Sequence, residues 1–101
     1  MTRVITITGD PTTREVHVDG VRLDPQPSQK VWNHSPDGFA WGYAGSGPAQ
    51  LALALLLHGG LDHRKAVYFH QRLKFDLVAS LPFDQPFLVD FDLAGWIERQ
   101  A

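Results

Sequence analysis

The sequence predicts an α+β fold, with antiparallel strands in the first part of the chain and helices after them. Three observations carry that expectation: apolar residues alternating with polar ones up to residue 23, an Asp19-Gly20 pair between two such runs, and a stretch at 51–57 that is apolar at every position. A period of two belongs to a strand with one buried face, and a short run apolar all round belongs to a central helix. We therefore expect N-terminal antiparallel hairpins packed against a short buried apolar helix, a longer amphipathic helix and a short C-terminal helix. Residues 1–101 read as a single domain.

Ile5 and Ile7 alternate with Thr6 and Thr8, which makes a half-buried strand that Gly9-Asp10-Pro11 ends. Glu15-Val16-His17-Val18 alternates again, and Asp19-Gly20 is the sequence of a two-residue hairpin turn. The register that follows sets Val18 opposite Val21 and Val16 opposite Leu23, all on one face. Asp24-Pro25-Gln26-Pro27-Ser28 reads as a loop, because proline donates nothing to a ladder. A second hairpin is expected beyond it, with Lys30-Val31-Trp32-Asn33 extended, Ser35-Pro36-Asp37-Gly38 as the turn and residues 39–43 returning as a strand.

Pro48 suits the first position of the buried helix, with Ser46 or Gly47 as cap. Gly59-Gly60 ends that helix where a left-handed residue is easily accommodated. The next helix should run from an Asp62 N-cap to about Ser80, before Pro82, with Ala66, Phe69, Leu73 and Leu77 as its core face. Tyr68 and Phe75, seven residues apart, point away from that face, and Arg64, Gln71 and Arg72 surround them. Mixed aromatic and arginine side chains are typical of binding surfaces. Either the terminal segment with Phe91 and Trp96 covers this stripe, or Tyr68, Phe75, Arg64 and Arg72 form an interaction surface. Asp84-Gln85-Pro86 is turn chemistry, Phe87-Leu88-Val89 a short strand, and Phe91, Ala94, Trp96 and Ile97 suit a final helix whose start is helped by Asp90 or Asp92.

Composition excludes several function classes. A chain of 101 residues with 44% hydrophobic and 20% charged side chains is an ordinary globular domain. A net charge of −2 gives no basic footprint for a nucleic-acid backbone. The chain contains no cysteine, which removes disulfides, thiolate catalysis and cysteine-ligated metals. The longest apolar run, at 48–57, would span ~15 Å as a helix, about half a bilayer core. The opening Met1-Thr2-Arg3-Val4 lacks the apolar core of a signal peptide, so we expect a soluble cytoplasmic protein without a membrane partner.

The most informative stretch for chemistry is Phe39-Ala40-Trp41-Gly42-Tyr43-Ala44-Gly45-Ser46-Gly47-Pro48-Ala49-Gln50. Its glycines have the frame of a phosphate-binding loop, but proline stands where the lysine belongs and no hydroxyl follows for magnesium. It also lacks the third glycine of a dinucleotide site and the flanking glycines of a nucleophile elbow. Two readings stay open. The turn joins two core elements, its glycines serving the backbone at positive φ. Alternatively Gly45, Ser46, Gly47 and the N–H groups of Ala49 and Gln50 hold an anion or small ligand at the helix start.

None of the five histidines forms an i, i+4 pair of the kind that holds a metal. His63 and His70 would lie ~10 Å apart along one helix. His58, Asp62 and His63 flank a turn and could converge, and His34-Ser35 beside Asp37 holds triad residue types without triad geometry. We therefore expect no catalytic residue, no metal site and no cofactor, and no enzymatic activity.

The segments Val16-His17-Val18-Asp19-Gly20, residues 39–52 with their WGY-x-GSGPAQLA pattern, and the helix at 68–82 resemble DUF6166, a family of small uncharacterised proteins of bacteria, phages and plasmids. The resemblance implies no activity, cofactor or catalytic residue. A phage or plasmid setting implies a protein that binds and blocks or redirects a host protein, with anti-CRISPRs as one such class. The leading expectation is thus a non-enzymatic interaction protein acting on a protein partner, self-association being another form of the same behaviour. The alternative is a small anion- or ligand-binding domain at the glycine turn.

Overall fold

The computed structural model describes residues 4–100; the opening residues 1–3, read above for a leader, and residue 101 lie outside the described range. The chain is α+β, as its alternation predicts. Strands β1 (Ile5–Gly9), β2 (Val16–Val18) and β3 (Val21–Arg22) come first, followed by helices α1 (Gln26–Val31), α2 (Ser46–His58) and α3 (His63–Asp76). A 3-10 turn at Val78–Ser80 leads to strand β4 (Phe87–Phe91) and helix α4 (Leu93–Arg99). The four strands form one antiparallel sheet in the order β3-β2-β1-β4.

The β2–β3 hairpin has the predicted register, with Val18 paired to Val21 and the Leu23 N–H donating to the Val16 carbonyl. Asp19 (φ 50°) and Gly20 (φ 83°) both sit in the left-handed region, as a type I′ turn requires. Val16 and Val18 are buried, but Val21 is 69% exposed, because β3 is a two-residue edge beyond the reach of the core. Phe87–Phe91 pairs along the whole of β1, setting Phe87 against Gly9, Val89 against Ile7 and Phe91 against Ile5. The return of the chain end to its first strand puts Ile7 at the centre of the inner face.

The second hairpin does not form. Residues 26–31 are helical instead: the Asp24 carboxylate accepts the Gln26 N–H at 2.9 Å, and the two prolines fall in the first turn, where a missing N–H costs nothing. Trp32 ends α1 in an extended conformation. Residues 39–43 are coil, not a strand, buried at 39–41 and exposed at Tyr43, and the Gly42 N–H goes to the Val78 carbonyl (3.0 Å). The turn at 35–38 is as expected, with Gly38 at φ 103° and its N–H on the Ser35 carbonyl.

Helix α2 begins two residues earlier than its proline suggests, with Gly45 as cap and Pro48 third in the helix, still within the stretch whose N–H groups have no helical acceptor. Residues 47–56 are all buried. One contiguous core joins α2 to Ile7, Val16, Val18 and Phe87 of the sheet, to Ala66, Leu73 and Leu77, and to Leu93 and Trp96 of the last helix. Asp62 caps α3 by accepting the Lys65 N–H at 2.8 Å, and Asp92, not Asp90, caps α4 through the Gly95 N–H (2.9 Å). Phe91 belongs to β4. Phe69 is only partly buried, and the closed positions of α3 are Ala66, His70, Leu73 and the stem of Lys74.

Candidate functional site

Gln50, at the end of the glycine-rich segment, is fully buried within α2. Its Oε1 accepts the backbone N–H groups of His34 (2.7 Å) and Ser35 (2.9 Å). Its Nε2 donates to Ser28 Oγ (2.9 Å) and to the Trp32 carbonyl (3.1 Å). The amide therefore uses all of its usual hydrogen-bonding capacity to clamp the chain that leaves α1 onto α2. The Ala49 N–H donates to the Gly45 carbonyl. A Cβ on Gly47 would stand 2.6 Å from Ala40 Cβ, and one on Gly45 would overlap the Tyr43 ring. Neither glycine has a positive φ; the left-handed residue of this segment is Gly42, at φ 84°. Close packing thus accounts for Gly45 and Gly47, and backbone conformation for Gly42.

The clamp positions a histidine pair that the sequence reading did not bring together. His34 Nε2 and His70 Nε2 lie 2.9 Å apart, while Trp32 stacks on the His34 ring at 4.4 Å. His70 Nδ1 lies 2.6 Å from the Val67 carbonyl, which requires a proton there and leaves Nε2 as the acceptor for His34 Nε2–H. Burial, the His70 ring and the Lys74 ammonium all push the His34 pKa down from its ordinary value. Burial also lowers that of His70, with Lys74 in the same sense, against the raising effect of the Val67 hydrogen bond. His58 and His63 are exposed around the α2–α3 turn and His17 lies on the sheet. Among the described residues no group of three histidine or acidic side chains gathers in metal-ligating geometry.

The outer face of α3 is open. Tyr68 is 79% and Phe75 62% exposed, and Trp96 packs elsewhere, donating its Nε1–H to Asp76 Oδ2 at 2.9 Å. The terminal segment therefore leaves the stripe uncovered. Arg64, Lys65, Gln71 and Arg72 flank it, all exposed, and Arg72 reaches Gln100 Oε1 (2.9 Å). The Lys74 ammonium lies 4.5 Å from the Phe75 ring centre. Helix α3 carries four of the chain's nine lysines and arginines, and its one acid, Asp76, is held by Trp96. An acidic protein thus presents one basic, aromatic ridge.

The model of the family of unknown function DUF6166 matches residues 6–99. No curated protein and no solved structure matches the chain. No helix among the described residues is long and apolar enough to cross a membrane.

Proposed function

The chain belongs to the DUF6166 family, and on that footing we propose that it acts as a small non-enzymatic interaction protein that docks α3 on an acidic protein surface. The observation that carries the reading is the pair Tyr68 and Phe75, exposed seven residues apart on a helix whose charged side chains, Asp76 excepted, are all positive. Exposed aromatics framed by arginine supply most of the energy of many protein interfaces. The concentration of cations on one helix of a chain with net charge −2 selects a partner of opposite sign and speeds its approach. It also opposes a symmetric pairing of two copies through this face, because Arg64, Lys65 and Arg72 would confront one another. A host protein blocked or redirected by a phage or plasmid product, as anti-CRISPR proteins do, is the setting that fits such a surface.

The test is in-cell crosslinking from position 68 in the native host, followed by binding to the purified partner. Tyr68→Ala with Phe75→Ala should weaken capture at least ~10-fold, the scale of a lost hot spot, while leaving the melting temperature nearly unchanged. Arg64→Glu with Arg72→Glu should do the same and remove the salt dependence. Capture unaffected by both pairs sinks the reading. A dimer dissolved by the aromatic pair would replace the host partner with a second copy, and tight binding of single-stranded oligonucleotides would replace it with nucleic acid.

A further inference from the structure

An open cleft of about 490 Å³, none of whose lining residues belongs to α3, is walled by Arg14, Trp41, Tyr43, Phe83 and Asp84, with Pro11 and Ala40 completing it. Three segments distant in sequence meet there, and each is fastened. The Trp41 Nε1–H donates to the Gln85 carbonyl (3.0 Å). Gly42 lies so close to Phe83 that a Cβ would overlap the Phe83 backbone, and the Tyr43 and Phe83 rings meet edge to face at 5.8 Å. In the β1–β2 loop the Arg14 N–H donates to the Asp10 carbonyl (2.7 Å), and the Asp10 carboxylate accepts the Thr12 N–H (2.9 Å).

Among the described residues three that are not glycine have positive φ: Arg14 (63°), Asp19 (50°) and Asp84 (54°). The hairpin turn explains Asp19. Arg14 closes the β1–β2 hairpin loop, with its N–H on the Asp10 carbonyl, and it and Asp84 both line the cleft, although arginine has no intrinsic liking for that conformation. Strained backbone persists where the surroundings over-determine it, and it gathers at binding sites. Neither the Arg14 guanidinium nor the Asp84 carboxylate is in an ion pair among the described residues. A cation and an anion are therefore held beside exposed ring surface, in a cavity of the size that takes small ligands.

We propose that this cleft binds a small planar aromatic molecule carrying an anionic group and a hydrogen-bond donor. The ring lies against Tyr43 and Phe83, the anionic group meets the fork of Arg14, and the donor is accepted by Asp84. Arginine recognises carboxylate and phosphate alike by two parallel hydrogen bonds, so the anionic group is of either kind. This site does not depend on the α3 reading, and neither stands or falls with the other.

Titration of the intact chain, followed through its backbone amides by NMR, separates the cases. L-tryptophan offers ring, carboxylate and ammonium; adenosine monophosphate offers ring, phosphate and exocyclic amine; indole and inorganic phosphate offer one part each. One of the two complete ligands should saturate and shift amides at 14, 40–43 and 83–85 while leaving α3 unmoved. Indole and phosphate should bind at least ~10-fold more weakly, each lacking an interaction worth a decade. Arg14→Asn, which tolerates positive φ better, should melt at or above the parent temperature and bind at least ~10-fold more weakly; Phe83→Ala should also weaken binding. No amide shift with either complete ligand at about 5 mM, above the ~1 mM dissociation constant of a weak ligand, overturns the proposal. So does indole binding as tightly as either, or full binding by a folded Arg14→Asn variant.

Discussion

His34 Nε2 and His70 Nε2 share one proton across 2.9 Å. The Val67 carbonyl holds the other His70 nitrogen protonated, so charging the pair would set two N–H groups against each other in a half-buried site beside the Lys74 ammonium.

That contact makes stability pH-dependent. Both native pKa values lie below the ordinary histidine value of 6.5, chiefly through burial, so the folded chain favours the neutral rings. The sign follows from linkage: the unfolded state binds more protons as pH falls, so the contribution is complete above about pH 6.5 and is lost progressively below it, down through the lowered native values. The melting temperature should be lower at about pH 5 than at about pH 7.5, and His34→Gln should reduce that difference. An unchanged pH profile in the variant would place the dependence on other groups.

Gln50→Leu should destabilise the fold by about 3 kcal/mol in urea unfolding. It leaves the Ser35 N–H without its acceptor. It also takes one of two partners from the His34 N–H and the Trp32 carbonyl, which keep each other at 3.1 Å, and from the Ser28 hydroxyl, which keeps the Pro25 carbonyl. A stranded group costs roughly 1–3 kcal/mol when it finds no water. A loss below about 1 kcal/mol would mean that water enters and replaces the amide.

Gly20 and Gly42 have almost the same φ, 83° and 84°, yet differ in surroundings. A Cβ on Gly20 meets nothing within 4 Å, whereas one on Gly42 overlaps the Phe83 backbone. Gly20→Ala should cost about 1 kcal/mol, the intrinsic expense of a left-handed residue. Gly42→Ala should cost roughly 3 kcal/mol or more, because two backbone segments must separate. Equal costs measured by denaturant unfolding would show that the 83–85 loop gives way freely.

The elements governed by neighbours in the chain were legible without coordinates. Ile5 and Ile7, the Asp19-Gly20 turn, the all-apolar 51–57 run, the Asp62 cap and the strand at Phe87 each announce themselves through period, turn chemistry or capping, which act over a few residues. The outward direction of Tyr68 and Phe75 was legible for the same reason, since helical spacing sets it. The misread stretches, 26–33 and 39–43, on either side of the correctly read turn, are where local signals conflict. Prolines that break a strand also fit a first helical turn, and an aromatic run that suits a strand is satisfied as coil once Val78 and Gln85 supply its partners.

Side chains that meet through the path of the chain were not legible. His34 and His70 are 36 positions apart, Gln50 reaches back 22 to Ser28, and Arg14 and Asp84 come from opposite ends of the molecule. No periodicity relates such residues, because their approach depends on how α1, α2 and the sheet pack. Whether the α3 stripe is core or surface belonged to the same class: it turned on where Trp96 lands, and Trp96 lands on Asp76, leaving Tyr68 and Phe75 in water.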